Sequence, residues 1–214
     1  MGKNLVITIG RQAGAHGKTV GTKLAEVLGV KCYDKEILAE ASKSSGLAQE
    51  LFETHDEKPT SSFLYSLVMD TYSMGYSASS AYREMPINHK IFLAQFDTIK
   101  QLAEESSCVI VGRCADYALE GMDNVVTVFL TGDDDDKIAR LSELYHVNEA
   151  KARDIMAKTD KSRASYYNYY ASKKWGDARS YDLCLNTTKV GIDGAVKLIL
   201  EFAKLKTGID IPTL

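Results

Sequence analysis

No apolar run in this sequence approaches the roughly 20 residues that a membrane-spanning helix needs, which sets a membrane partner aside. The first apolar run, residues 5–9, is too short for a signal peptide and turns at once into a glycine-rich segment. Val6 stands where a myristoylated Met-Gly terminus carries Ser or Thr. A cytoplasmic protein is therefore expected. The four cysteines, Cys32, Cys108, Cys114 and Cys184, contain no Cys-x-x-Cys pair, which argues against a zinc site. Three of them lie in or beside apolar, strand-like runs and are expected to be buried thiols of a reducing compartment. No charge of one sign dominates: 26 Lys and Arg face 29 Asp and Glu, a net charge of -3, so nucleic acid is not expected as a partner. There is no internal repeat.

What is present is an ordinary globular composition in a chain of 214 residues, long enough for a sizeable core. It suits one large domain, or a core domain with an insertion. The informative stretch is Gly10-Arg11-Gln12-Ala13-Gly14-Ala15-His16-Gly17-Lys18-Thr19, between the run at 5–9 and an amphipathic segment that starts at Val20. Strand, glycine-rich turn, Gly-Lys-Thr and helix in that order form a phosphate cradle. Glycines let backbone N–H groups face inward, and the helix start adds unpaired N–H groups and a positive dipole end. Lys18 is expected on the β- and γ-phosphates and the Thr19 hydroxyl on Mg²⁺. The strict pattern asks for glycine five residues before Gly17, and Gln12 stands there. Gly10 has the further reading that it merely ends the strand.

Val20, Leu24, Val27 and Leu28 share one helical face, and Gly29 is expected to stop that helix. A short strand at 30–33 ends at Asp34, which either faces the ligand crevice of a parallel sheet or caps the next helix. From 35 to 88 only short helical pieces appear (36–43, 47–54, 63–72), with a polar loop near 73–80, so this region reads as a helical insertion. Its Tyr65, Tyr72, Tyr76 and Tyr82 fit a core or interface better than base stacking. A long helix at 88–106 leads into Cys108-Val109-Ile110-Val111, a strand covered on both faces, and a fourth strand follows at 125–130. The acidic run at 133–136 reads as the first turn of a helix, where carboxylates complement the dipole, ahead of a metal site. Helices are expected at 138–145 and, after an Asn148 cap, 149–158. The basic and aromatic segment at 160–175 invites a single-strand nucleic-acid reading, which the overall charge opposes. A fifth strand at 181–186 and a helix at 192–205 close the chain. Strands alternating with helices imply an α/β fold with a five-stranded parallel sheet wrapped by helices.

Taken together, several blocks resemble the cytidylate-kinase-like family of P-loop proteins. The first is Gly10-Arg11-Gln12, Gly14 and Gly17-Lys18, continuing through Leu24-Ala25, Leu28-Gly29 and Tyr33-Asp34-Lys35-Glu36. The second, and the most specific, is Val109-Ile110-Val111-Gly112-Arg113-Cys114-Ala115-Asp116-Tyr117. The third is Asp160-Lys161, Arg163-Ala164 and Tyr166-Tyr167, with Trp175-Gly176-Asp177 and Tyr181-Asp182-Leu183-Cys184-Leu185-Asn186-Thr187. The resemblance covers nearly the whole chain and is weakest at 54–88. It implies a P-loop NTPase three-layer fold with a helical acceptor-binding insertion at 35–88 and an arginine-bearing lid at 140–176. It also implies that Arg113 reaches an acceptor nucleotide, that Asp160 and Arg163 touch its ribose and phosphates, and that Arg140 is a lid arginine. Two departures stand out. Family members carry Asp-x-Gly-x-x-Tyr-Arg after the second strand, and Glu40 occupies that arginine position here. The lid arginine four residues before Asp160 is Met156. Lys35 or Arg83 is left to replace one of the missing cations.

The expectation is a phosphotransferase using ATP and Mg²⁺ on a nucleoside monophosphate, CMP or dCMP first. The nucleotide is expected on Gly10, Arg11, Gly14, Ala15, His16, Gly17, Lys18, Thr19 and Val20. Lys18, Arg113, Arg140 and Arg163 are expected to offset charge on the moving phosphoryl group, and Asp34, Lys35, Arg113, Asp160 and Arg163 to bind the acceptor. For each arginine a surface ion pair is the other reading, most of all for Arg140. Arg113 needs an anion to offset its burial, either an acceptor phosphate or a carboxylate, with Asp116 the nearest in sequence. A kinase of another small molecule, or a nucleotide-binding regulatory module without turnover, remains open, as does the oligomeric state.

Overall fold

The structure, a computed structural model, describes residues 4–55 and 86–211. The expected helix at 63–72, the loop at 73–80, Tyr65, Tyr72, Tyr76, Tyr82 and Arg83 lie outside them. In chain order the described elements are β1 (Val6–Arg11), α1 (Gly17–Leu28), β2 (Lys31–Tyr33), α2 (Glu36–Ser45) and α3 (Gln49–His55). After these come α4 (Ile87–Glu105), β3 (Cys108–Val111), α5 (Ala115–Ala118), β4 (Val125–Thr131) and α6 (Asp134–Tyr145). The chain closes with α7 (Glu149–Tyr170), β5 (Leu183–Asn186) and α8 (Thr187–Thr207). Among the described residues no helix is long and apolar enough to cross a membrane.

The five strands are parallel in the order β2-β3-β1-β4-β5, with Ile9 level with Val111 on one side and Val128 on the other. The Val- and Ile-rich runs of the three central strands, β3, β1 and β4, suit a sheet covered on both faces. Ile7, Ile9, Val109, Val111, Val126 and Val128 face one way and pack against Val20 and Leu24 of α1 and Val196 and Ile199 of α8. Val6, Ile110 and Val125 face the other way and pack against Ile99 of α4 and Ala115, Ala118 and Leu119 of α5 and its end. Each buried Val, Ile or Leu contributes about 1.5–3 kcal/mol, so the pattern that makes these strands also holds the three layers together. The chain leaves β1 on one side for β2 and β3 and on the other for β4 and β5. The loop after β1 therefore sits at the reversal of strand order, where open α/β sheets bind ligands.

Several local expectations change. Asp34 caps nothing: α2 begins after Lys35, with no side-chain cap bond, and Glu36 Oε2 instead accepts the Asp34 N–H at 2.9 Å. Asn148 does cap α7, accepting from Lys151 N–H at 2.9 Å, but that helix runs unbroken to Tyr170. The segment at 160–170 is thus helical, and Tyr166, Tyr167 and Tyr170 are buried in an aromatic cluster with Phe92, Phe129 and Tyr181. Phe92 and Tyr170 stack at 3.9 Å between ring centroids. These rings are core and offer no stacking face to nucleic acid. The last helix begins early, at Thr187, and bends at Gly191. Cys108 and Cys114 are buried, Cys32 is half-buried and Cys184 is exposed, because β5 is an edge strand; all four are free thiols.

Candidate phosphate-binding cleft

The backbone of residues 12–20 leaves a set of donors open. Gln12 N–H donates to Leu130 O, Ala15 N–H to Gln12 O and Val20 N–H to His16 O, while Ala13 N–H donates to Asp160 Oδ1 at 2.7 Å. The N–H groups of Gly14, His16, Gly17, Lys18 and Thr19 have no acceptor among the described residues. These include the first turn of α1, which has no helical partner for them. Such a row of donors at a helix start is an anion site. Gly14 has φ +81°, and a Cβ on it would meet the backbone carbonyl oxygen of Lys137 at 2.8 Å. At Gly17 a Cβ would lie 2.6 Å from Cγ of Arg11, so that glycine makes room for an arginine stem.

These donors line a cleft of about 180 Å³. Lys18, Arg140, Arg11 and Arg163 line it together with Asp34 and Val111. Lys18 is exposed. Arg140 has no carboxylate partner among the described residues; its Nη2 donates to Thr19 Oγ1 at 3.3 Å. Burial, with the Arg140 charge second, pushes His16 below the usual imidazole range, so it is neutral beside the loop. Arg163 Nη1 donates to Arg11 O at 3.4 Å. Two expected nucleotide contacts move elsewhere. Val20 is fully buried in the core and its N–H is taken. Gly10 lies within β1, where a Cβ would meet Phe129 at 2.9 Å and Tyr181 at 3.3 Å. Its role is to admit those rings.

The second group forms around Arg113, which is 3% exposed. Its Nη1 donates to Asp34 Oδ1 and to Val111 O, both at 3.2 Å. The counterion is therefore Asp34 of the neighbouring strand end. Asp116, nearer in sequence, accepts from Tyr167 Oη at 2.6 Å instead, and burial pushes its carboxyl above the usual range. The space lined by Gly112, Arg113, Asp116, Tyr167, Trp175 and Tyr181 is only about 20 Å³, room for about one water. Asp160, which the resemblance directs to an acceptor, holds the loop through Ala13, and burial pushes its carboxyl up. Lys35 is exposed at the start of α2, next to Asp34 on the cleft. Glu40 pairs with Lys43 at 3.0 Å, so that position offers no cation. Met156 packs with Ala13, Ile138, Leu141 and Ala152, which turns the site of a missing arginine into core beneath the loop.

Sequence reasoning passed over Gln12 and Lys137. Gln12 Oε1 accepts from Thr131 Oγ1 at 2.5 Å and from Lys137 Nζ at 2.9 Å. The signal for Gln12 was its place in the pattern; Lys137 carried none.

A polyphosphate fits this cradle, because the open N–H groups and the cations of the cleft are all donors. Among the described residues no cluster of three His, Cys, Asp or Glu side chains is poised for a metal. Mg²⁺ keeps several waters and leans on substrate phosphates, so it needs few protein donors, and the exposed Thr19 hydroxyl at the loop is chemically suited to be one.

The sequence matches the cytidylate kinase-like family over residues 6–189. No curated protein matches it significantly. Among solved structures, an uncharacterized protein from Eubacterium ventriosum ATCC 27560 is 32% identical with a TM-score of 0.70, covering 94% of this chain and 98% of that one. Shikimate kinase from Bacteroides thetaiotaomicron is 17% identical with a TM-score of 0.51, covering 94% of this chain and 98% of its own. A gluconokinase from Sinorhizobium meliloti 1021 is 13% identical with a TM-score of 0.51, covering 97% and 96%. The last two share the fold.

Proposed function

The chain belongs to the cytidylate kinase-like family, and from that premise we propose that it transfers the γ-phosphoryl group of Mg·ATP to a nucleoside monophosphate, CMP or dCMP first. The observation that carries the reading is the set of open N–H groups of Gly14, His16, Gly17, Lys18 and Thr19 beside a cleft that Lys18, Arg140 and Arg163 line with positive charge. In this reading the loop amides and Lys18 hold the β- and γ-phosphates, and Thr19 faces Mg²⁺, which supplies charge neutralisation on phosphate oxygens when bound. Arg140 and Arg163 offset the charge that spreads over the transferred group, where positioning and electrostatics do most of the catalytic work. Asp34 on the cleft, with Arg113 paired behind it, would bind the acceptor. Helices α6 and α7 with the segment to 176 act as the lid, and the insertion at 35–88 as the acceptor-binding part.

One observation favours a second reading, a kinase for another small acceptor. Glu40 and Met156 remove two cations that a nucleoside monophosphate would use, and Arg113 already has a carboxylate partner. ADP release measured across CMP, dCMP, the other monophosphates and a set of small hydroxylated acids separates the two. Release with CMP or dCMP is expected. Release with another acceptor alone moves the assignment to the second reading, and ATP binding without release anywhere leaves a regulatory module.

A further inference from the structure

Beneath the loop lies a buried cation that the reading above does not use. Lys137, in the first turn of α6, is 4% exposed, and its Nζ donates to Gln12 Oε1 at 2.9 Å and pairs with Asp134 Oδ1 at 2.9 Å. A buried ammonium is costly without partners, and Asp134 is a largely exposed carboxylate at 66%. The amide oxygen of Gln12 is therefore a principal ligand of that charge. The same oxygen accepts from Thr131 Oγ1 at the end of β4. The backbone of Lys137 also meets Gly14 edge-on, its carbonyl oxygen 2.8 Å from where a Cβ would stand. One turn further along α6, Arg140 reaches Thr19.

We propose that Gln12 and Lys137 form a clamp that positions the phosphate loop against β4 and α6, and that glutamine at this place ties down a loop that the glycine of the strict pattern would leave free. A glycine-rich loop is flexible, and ordering it costs backbone entropy when the ligand arrives. The Gln12 carboxamide meets part of that cost in advance, by tying the loop to the helix that carries Arg140. Both are positioning residues: Lys137 is absent from the cleft wall, and Gln12 acts through its oxygen on Thr131 and Lys137. The inference rests on the cleft's being a nucleotide site.

The test is a double-mutant cycle on the full chain, Gln12→Ala, Lys137→Met and both together, with Mg·ATP affinity by calorimetry and thermal stability on the same samples. Gln12→Gly, which restores the strict pattern, is titrated beside them. Each single change is expected to weaken Mg·ATP binding about tenfold, the double change no more than the weaker single, and Gln12→Gly as much as Gln12→Ala. A stabilising but non-positioning contact would lower thermal stability and leave affinity in place. Affinity losses that simply add, or a Gln12→Gly protein that binds as well as the parent or better, overturn the clamp alone. A parent that binds no Mg·ATP overturns the nucleotide reading and the clamp with it. If Lys137→Met fails to fold, Gln12→Gly and Thr131→Val decide, since neither uncovers the buried ammonium completely.

Discussion

Strands β1 and β3 lie side by side, and each runs into a left-handed turn that opens a helix. After β1 the turn has Gly14 at φ 81° and His16 at 57°; after β3 it has Gly112 at 81°, Arg113 at 55° and Cys114 at 54°. A non-glycine residue in that region costs on the order of 1–2 kcal/mol, so both turns carry strain that the surrounding packing must hold. They use it differently. The β1 turn leaves its N–H groups open and puts Lys18 in solvent. The β3 turn draws its cation inward, buries it and pairs it with Asp34, while Cys114 joins the aromatic cluster. One turn holds unspent positive potential, and the other has most of its charge answered within the protein. A ligand phosphate therefore finds its strongest invitation at β1, and an anionic acceptor at β3 has to compete with Asp34.

That contrast can be broken or sharpened one turn at a time. Lys18→Ala should reduce ATP-dependent turnover by roughly 10²–10³ with an unchanged melting temperature, because the side chain is exposed and packs little. Turnover within a few-fold of the parent would place the phosphate chemistry elsewhere.

At the second turn the balance reverses. Asp34→Asn leaves the buried guanidinium short of its counterion and should cost on the order of 2–4 kcal/mol of stability, read by chemical denaturation. Arg113→Lys keeps the charge but not the planar fork. It should weaken the acceptor's KM and turnover while ATP binding alone stays put. Lost stability with full turnover per folded molecule would make Arg113 purely structural and send the search for the acceptor into the insertion.

Gly14→Ala and Gly17→Ala test the two kinds of crowding in the first turn. The added methyl at 14 meets backbone and a left-handed φ; at 17 it meets the flexible Arg11 stem. Gly14→Ala should lose about 1–2 kcal/mol, while Gly17→Ala should disturb nucleotide affinity more than stability. Equal stability losses would show that Arg11 cannot yield.

The smallest effect is on pH. Burial lowers the pKa of His16 and of His89, whose ring faces Tyr169. Both are neutral when folded, and the unfolded chain takes up protons first as pH falls below about 6.5. Their contribution is present above that value and is lost as pH falls through the lowered folded pKa. Melting temperature should decline from pH 7 towards pH 5, less steeply in His89→Gln. An unchanged slope would remove His89 as a source.

The helices and strands were legible because their signals are local. Continuous β-branched runs at 6–9, 108–111 and 125–130 announce buried strands, and the apolar face of 20–28 announces a helix. The strand–turn–helix order around Lys18 announced the loop whose amides stand open, while Gly10 and Val20 at its margins belong to the strand and the core. The segment at 160–175 shows the limit of composition: the same tyrosines suit a nucleic-acid platform or a core, the overall charge opposes the first, and the burial of Tyr166, Tyr167 and Tyr170 shows the second.

The sequence by itself determined which elements form and where the donor loop falls among them, since hydrophobic period and glycine placement act over a few neighbouring residues. Only the tertiary structure decided who meets whom. The order β2-β3-β1-β4-β5 sets Asp34 beside Arg113, across 79 positions of chain, and leaves Asp116, three residues away, to Tyr167. It likewise brings Lys137 to Gln12 and Asp160 to Ala13. Charges and hydrogen-bond partners are chosen by distance through space, and that distance is fixed by how the sheet and its helices pack rather than by separation along the chain.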